Sequence, residues 1–100
     1  MNNDVVWLQN WFKSHCDGDW EQDKRIEITS IDNPGWGIKI NIEGTELENE
    51  KFTKVKIERN ESDWVICWKN NNLFECACGP LNLNDGLNIF RRWVETYSKY

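Results

Sequence analysis

Residues 25–43 read RIEITSIDNPGWGIKINIE, and their pattern decides the fold class. Ile26 and Ile28 alternate with charged and polar neighbours. After a break, Trp36, Ile38, Ile40 and Ile42 alternate with Gly37, Lys39, Asn41 and Glu43. A period of two sends successive side chains to opposite faces of a pleated strand, so both runs read as strands with one apolar side. Between them, Asn33-Pro34-Gly35-Trp36 reads as a tight turn. Proline presets φ and the glycine is free to take φ > 0, as a type II turn requires.

Towards the C-terminus, a charged connection from Gly44 to Lys51 leads into a third strand, with Val55 and Ile57 inward and Lys54, Lys56 and Glu58 outward. Phe52 falls out of phase, so a bulge or bend is expected before Val55. Trp64 to Lys69 and Leu73 to Cys78 read as two further strands joined by Asn70-Asn71-Asn72, residues that tolerate positive φ in a hairpin loop. Gly79-Pro80 breaks the sheet. Asn82 is available to cap a helix whose stripe is Leu83, Leu87, Phe90, Val94 and Tyr97, supported by Ile89 and Trp93.

Towards the N-terminus, residues 4 to 16 carry Val5, Leu8, Trp11, Phe12 and His15 at helical spacing, with Asn3 as N-cap and Gly18 offering the left-handed position after the helix. The order α-β-β-β-β-β-α predicts a single α+β domain over residues 1–100. Its expected architecture is an antiparallel sheet of about five strands, arranged as a meander, with the N- and C-terminal helices on one face. The fourth strand has two apolar sides, Trp64, Ile66 and Trp68 on one and Val65 and Cys67 on the other. Either a loop covers its outer side or a tryptophan patch opens to a partner.

With 100 residues the chain has room for one core, yet it holds seven tryptophans, four phenylalanines and two tyrosines, so some indoles are expected at the surface. A formal charge of −5 argues against nucleic acid, whose phosphates need a surplus of lysine and arginine, and fits a basic protein better. No apolar run approaches the roughly 20 residues that span a bilayer, and the N-terminus lacks the features of a signal peptide. A cytoplasmic protein with no membrane partner is expected, and Cys16, Cys67, Cys76 and Cys78 then read as reduced thiols.

Three groups of residues have the makings of a catalytic or metal site, and each has a simpler structural explanation. Asp17, Asp19, Glu21 and Asp23 have the rhythm of a calcium loop, but Gln22 and Ile28 stand where an EF-hand needs glycine and glutamate. Cys76 and Cys78 with Cys67 lack the turn spacing of zinc pairs, so no metal and no cofactor are expected. Asp17, Asp19, Glu21, Asp32 and Glu75 could form an acid and base pair only if the fold brought them together. The acidic run follows a helix C-terminus, where the macrodipole disfavours anions. It therefore reads either as a self-bonded turn or as an acidic surface for a cationic partner.

The set Trp7-Leu8, Trp11-Phe12, Cys16-Asp17-Gly18-Asp19-Trp20-Glu21, Ile26, Ile28, Asp32-Asn33-Pro34-Gly35-Trp36, Thr45, Leu47-Glu48, Asp63-Trp64, Cys67 and Gly79-Pro80 resembles the Immunity protein 53 family of bacterial polymorphic toxin systems. The resemblance covers nearly the whole chain. It departs from the family pattern at Gln22, where histidine is frequent, at Arg25, and at Cys76-Ala77-Cys78, where glycines are common. The resemblance implies a cytosolic, non-catalytic protein that binds and occludes a cognate secreted toxin. The alternative is a small metal- or carboxylate-dependent enzyme acting on the toxin's product or substrate. The partner contacts expected under the first reading are Asp17, Asp19, Trp20, Glu21 and Asp23, then Trp36, Trp64 and Trp68. Asp17, Asp19, Trp20, Glu21 and Trp36 serve equally well as builders of the fold, with Trp20 and Trp36 packing the loops against the sheet.

Overall fold

Helix α1 spans Asp4–His15 and starts as its sequence predicts, with the Asn3 side-chain oxygen accepting the Val6 N–H at 3.0 Å. The computed structural model describes residues 3–97. A single helical turn that the periodicity did not reveal, α2 (Trp20–Asp23), separates α1 from strand β1 (Ile26–Ile31). Strands β2 (Gly35–Asn41), β3 (Val55–Asn60), β4 (Asp63–Asn70) and β5 (Leu73–Cys78) follow, and helix α3 (Leu83–Tyr97) closes the described chain.

All five strands lie in one antiparallel sheet in the order β1-β2-β5-β4-β3. The class is the predicted one, but the sheet is not a meander in simple sequence order. After β2 the chain crosses to the far edge, and the β3-β4-β5 meander then returns to set β5 against β2. The reason is burial. Ile38 and Ile40 of β2 and Phe74, Cys76 and Cys78 of β5 are all buried, which favours central positions, whereas β3 carries Lys56, Glu58 and Arg59 and takes an edge. The crossing segment is pinned by Leu47, which is buried, by Lys69 Nζ donating to the carbonyls of Glu48 (3.0 Å) and Glu50 (2.8 Å), and by Trp93 Nε1 donating to Lys51 (3.0 Å). Phe52, out of phase in sequence, lies before β3 and packs edge-on against Phe74 and Trp93.

Helix α3 lies directly on β2, β5 and β4, and α1 packs beside it. Gly86 permits the close approach, since a Cβ there would come within 2.8 Å of Cys76 Sγ and of Ile38 Cδ1. Phe90, fully buried, is the hub of the aromatic core, with ring centroids of Trp11 and Phe74 at 5.0 Å and Trp7 at 6.0 Å. The two helices also share an ion pair. Asp4, 1% exposed, accepts from Arg91 Nη1 at 3.1 Å and from the Asn88 amide, while the Arg91 guanidinium lies over the Trp7 ring. Tyr97, predicted in the buried stripe, is exposed at the helix end.

Two turn predictions are corrected. Asn33–Pro34 is a cis peptide bond, and Ile31 pairs directly with Gly35, which leaves Asp32, Asn33 and Pro34 as the loop. Gly35 does not adopt positive φ. Glycine is needed there because a Cβ would overlap the Cys78 carbonyl oxygen of the neighbouring strand. Asn82 does not cap α3 with its side chain. It is buried, its amide nitrogen donates to Asp63 (2.9 Å) and Asp85 (2.8 Å), and its oxygen accepts the Trp64 N–H (3.3 Å), so it ties the start of α3 to β4. The hairpin asparagines behave as predicted at Asn71, with φ 54.

Candidate partner-binding surface

The register assigns every strand residue to a face. Ile26, Ile28, Ile38, Ile40, Phe74, Cys76, Val65, Cys67, Val55 and Ile57 share the side under α3, leaving Thr29, Ile31, Gly37, Lys39, Glu75, Ala77, Trp64, Ile66 and Trp68 on the other. No helix covers that second side among the described residues. Trp64, Ile66 and Trp68 therefore form a half-buried stripe down β4 on an open sheet face. A groove of about 360 Å³ runs beside Trp68 over Gly37 and Ala77, and another of about 420 Å³ flanks Trp64 and Ile66. Glu27, Glu75, Glu58 and Glu61 line these grooves against Lys39 and Lys56 on the same face, and Lys56 pairs with Glu58 at 3.3 Å.

The indole N–H groups sort the tryptophans by role. Trp11 donates to Glu46 Oε1 (2.8 Å), Trp20 to the Glu43 carbonyl (2.7 Å), Trp36 to the Pro80 carbonyl (3.0 Å) and Trp93 to the Lys51 carbonyl (3.0 Å). Each of these four fastens a loop to the core. Trp7, Trp64 and Trp68 donate no hydrogen bond among the described residues, and Trp7 is shielded by Arg91. Trp64 and Trp68 thus combine large apolar area with an available donor on an uncovered surface, the properties of interface anchors.

The acidic turn is built from its own side chains. Gly18 takes φ 98, Asp17 Oδ1 accepts the N–H groups of Asp19 and Trp20 at 2.9 Å, and Glu21 accepts those of Asp17 (3.0 Å) and Gly18 (2.9 Å). Gln22 donates to the Gly18 carbonyl. This is the compensation that acidic residues behind a helix C-terminus require. Trp20 is buried against Trp11 and Phe12, and its ring lies beside Gly44, where a Cβ would come within 3.3 Å of Trp20 Cδ1. Of the residues predicted to meet a partner, Trp20, Asp17 and Glu21 are engaged in the fold, and Trp36 lies on the helix side with its N–H committed to Pro80. Asp19 and Asp23 present exposed carboxylates with no partner among the described residues.

The bonds from the Trp20 and Asp19 N–H groups hold the Asp17 carboxyl below its usual range, and the Asn82 amide, then Arg59, does the same for Asp63. A carboxyl depressed in the folded state stabilises above its unfolded pKa, near 3.8, and that contribution is lost as pH falls towards the folded value. Thermal melts between about pH 5 and pH 2 should therefore show stability falling mainly below about pH 4, less steeply in Asp17→Asn. An identical acid limb in the variant would remove the turn from this linkage.

The Immunity protein 53 family model matches residues 5–95, from the first turn of α1 to the last turns of α3. The chain belongs to the Immunity protein 53 family. Comparisons with curated proteins and with solved structures return no match. Membership supports an immunity role, and the matched span includes both the acidic turn and the open face.

The fold of this Immunity protein 53 member separates the residues that a catalytic reading would need together. Asp17, Asp19 and Glu21 lie before β1 and Asp32 after it, about 17 Å apart along the strand, and Glu75 sits mid-sheet bonded to Asn70. Cys67 and Cys76 face each other across β4 and β5, with Cys78 two residues on. Bonding to Cys67 raises the Cys76 thiol, and bonding to Cys76 together with burial raises that of Cys78, which keeps both protonated and poor as ligands or nucleophiles. No group of three or more histidine, cysteine or carboxylate side chains among the described residues is arranged to hold a metal. No helix among them is long and apolar enough to cross a membrane.

Proposed function

We propose that this chain binds a cognate toxin domain and neutralises it by occlusion, without chemistry of its own, and that the open sheet face is the surface that does so. The observation that carries the proposal is the Trp64-Ile66-Trp68 stripe. It lies outside the helix layer, its indole donors are unengaged among the described residues, and carboxylates rim it. Large aromatics flanked by charge supply the desolvated anchors and the steering field of tight protein interfaces. The partner suited to this face is a basic surface with apolar cavities for two indoles. The cytoplasm is the proposed site of action, where a toxin would threaten the cell that makes it.

Titrating the cognate toxin domain with the purified chain tests the mechanism. Inhibition should be complete at one molar equivalent and unaffected by a chelator. Full protection at a few per cent of an equivalent would replace occlusion with catalysis.

Asp19 and Asp23 are assigned a lesser part, as steering charges beyond the contact itself. Asp19→Lys with Asp23→Lys should slow association several-fold at low salt and little at about 0.5 M, because long-range attraction between exposed charges is screened. Stopped-flow association at two ionic strengths measures this. Equal rates for variant and parent at low salt would take the acidic turn out of recognition.

A further inference from the structure

The two edges of the sheet are not alike. β3 carries Lys56, Glu58 and Arg59 and breaks register between Glu58 and Asn60, features that discourage further strand pairing. β1 pairs with β2 without irregularity from Ile26 to Ile31 and has one charged residue, Glu27. Its backbone phase follows from two bonds. The Asn41 N–H donates to the Arg25 carbonyl on the β1 side, and the Ile42 N–H donates to the Asn72 carbonyl on the β5 side. In an antiparallel ladder this alternation directs Arg25, Glu27, Thr29 and Ile31 inward to β2. The N–H and C=O groups of Ile26, Ile28 and Ser30 then point outward along an edge that is unpaired among the described residues. Ile28 is 40% exposed and outside the core cluster, and α3 rests mainly on β2, β5 and β4.

We propose that a second copy of this chain pairs with this edge, β1 antiparallel to β1, about a two-fold axis at Ile28. Antiparallel strands related by a two-fold axis perpendicular to the sheet keep their faces, so residues meet in pairs whose numbers sum to a constant. Centring on Ile28 makes it face its own mate, Ile26 face Ser30, and Glu27 face Thr29. All three outward-pointing residues then form hydrogen-bonded pairs, Ile28 is covered, and no like charges oppose each other. The ends are complementary too. Arg25, which lines a groove of about 440 Å³ beside Ile26, comes next to Asp32 of the second copy, while Lys24 beside it is paired with Glu43 at 3.0 Å. Centring on Thr29 would keep the outward groups in phase, but it would set Ile28 against Ser30 and Ile26 against Asp32, beyond the strand, so one hydrogen-bonded pair and the Ile28–Ile28 contact would be lost. The product is a continuous ten-stranded sheet with both helix layers on one side and both tryptophan stripes on the other.

A six-residue edge makes a small interface, so the dimer is reversible and forms at high concentration. Sedimentation velocity from about 10 µM to about 1 mM should show monomer giving way to dimer, with Ile28→Lys raising the dissociation constant at least about tenfold by setting two ammonium groups face to face. Register is read separately in a Cys16→Ser background. Ile28→Cys should form an interchain disulfide on mild oxidation, since facing Cα atoms in a hydrogen-bonded pair are about 5.5 Å apart. Ile31→Cys, about 20 Å from its mate, should not. A monomer at about 1 mM, or equal linking by both cysteine variants, overturns the proposal. So does a monomer in which Ile28→Lys instead weakens toxin binding, because the edge would then serve another chain.

Discussion

Gly35→Ala is expected to lower stability by about 3 kcal/mol or more, while Gly37→Ala, two residues along the same strand, changes it by less than about 1 kcal/mol. At Gly35 the added carbon would overlap the Cys78 carbonyl oxygen and lie 3.1 Å from its carbon, and both belong to backbone that cannot rotate away. Relief requires β2 and β5, the two most buried strands, to separate at the end of their ladder where Trp36 pairs with Cys78. At Gly37 the nearest atoms are Thr29 Oγ1 at 3.5 Å and Ile31 Cγ2 at 3.6 Å, ordinary contacts on the open face. For a domain of this size 3 kcal/mol corresponds to a fall in Tm of about 12–24 °C, which calorimetry resolves easily. Equal melting temperatures for the two variants would mean that the strands are farther apart at Gly35 than described.

Trp64→Ala combined with Trp68→Ala should weaken toxin binding at least about 100-fold and abolish protection in coexpressing cells. Truncating one central aromatic anchor commonly costs 2 kcal/mol or more, and a tenfold change in affinity corresponds to about 1.4 kcal/mol, so even strongly non-additive losses exceed that factor. Both indoles are half-buried on the uncovered face, away from the α3 core, so the double variant should still melt cooperatively. Val5→Ser, an exposed position on α1, is the matched control and should bind like the parent. Isothermal titration with melting curves for all three proteins separates lost contact from lost fold. A folded double variant of parental affinity would place the interface elsewhere.

Much of this architecture was legible because it depends on local rules. Period-two runs marked all five strands, helical spacing marked α1 and α3, and Asn3 and Asn71 performed the local tasks their chemistry suggests, whereas Gly18 takes its positive φ in the acidic turn, because α1 already ends at the extended Cys16. The self-bonded acidic turn was one of two readings, and the structure shows its bonds, with Asp17 and Glu21 as the acceptors. The one-turn α2 escaped because four residues are too few for a period. The role of Gly35 escaped because the group that excludes a side chain there lies on a strand more than forty residues away. The same distance problem hid Asn82, whose partners Asp63 and Trp64 are remote in sequence.

The candidate surface shows the same division. Alternation alone put Trp64, Ile66 and Trp68 together on one side of β4, and a resemblance carried by the motifs named the family before any coordinates. Whether that side was covered, which strand lay beside β2, and which of the seven indoles were free to meet another molecule were left to tertiary structure. Those outcomes depend on where the segment after β2 crosses and on which carbonyls come within reach of each N–H. They are long-range consequences of packing all the helix-side residues into one core, and no window of neighbouring residues contains them.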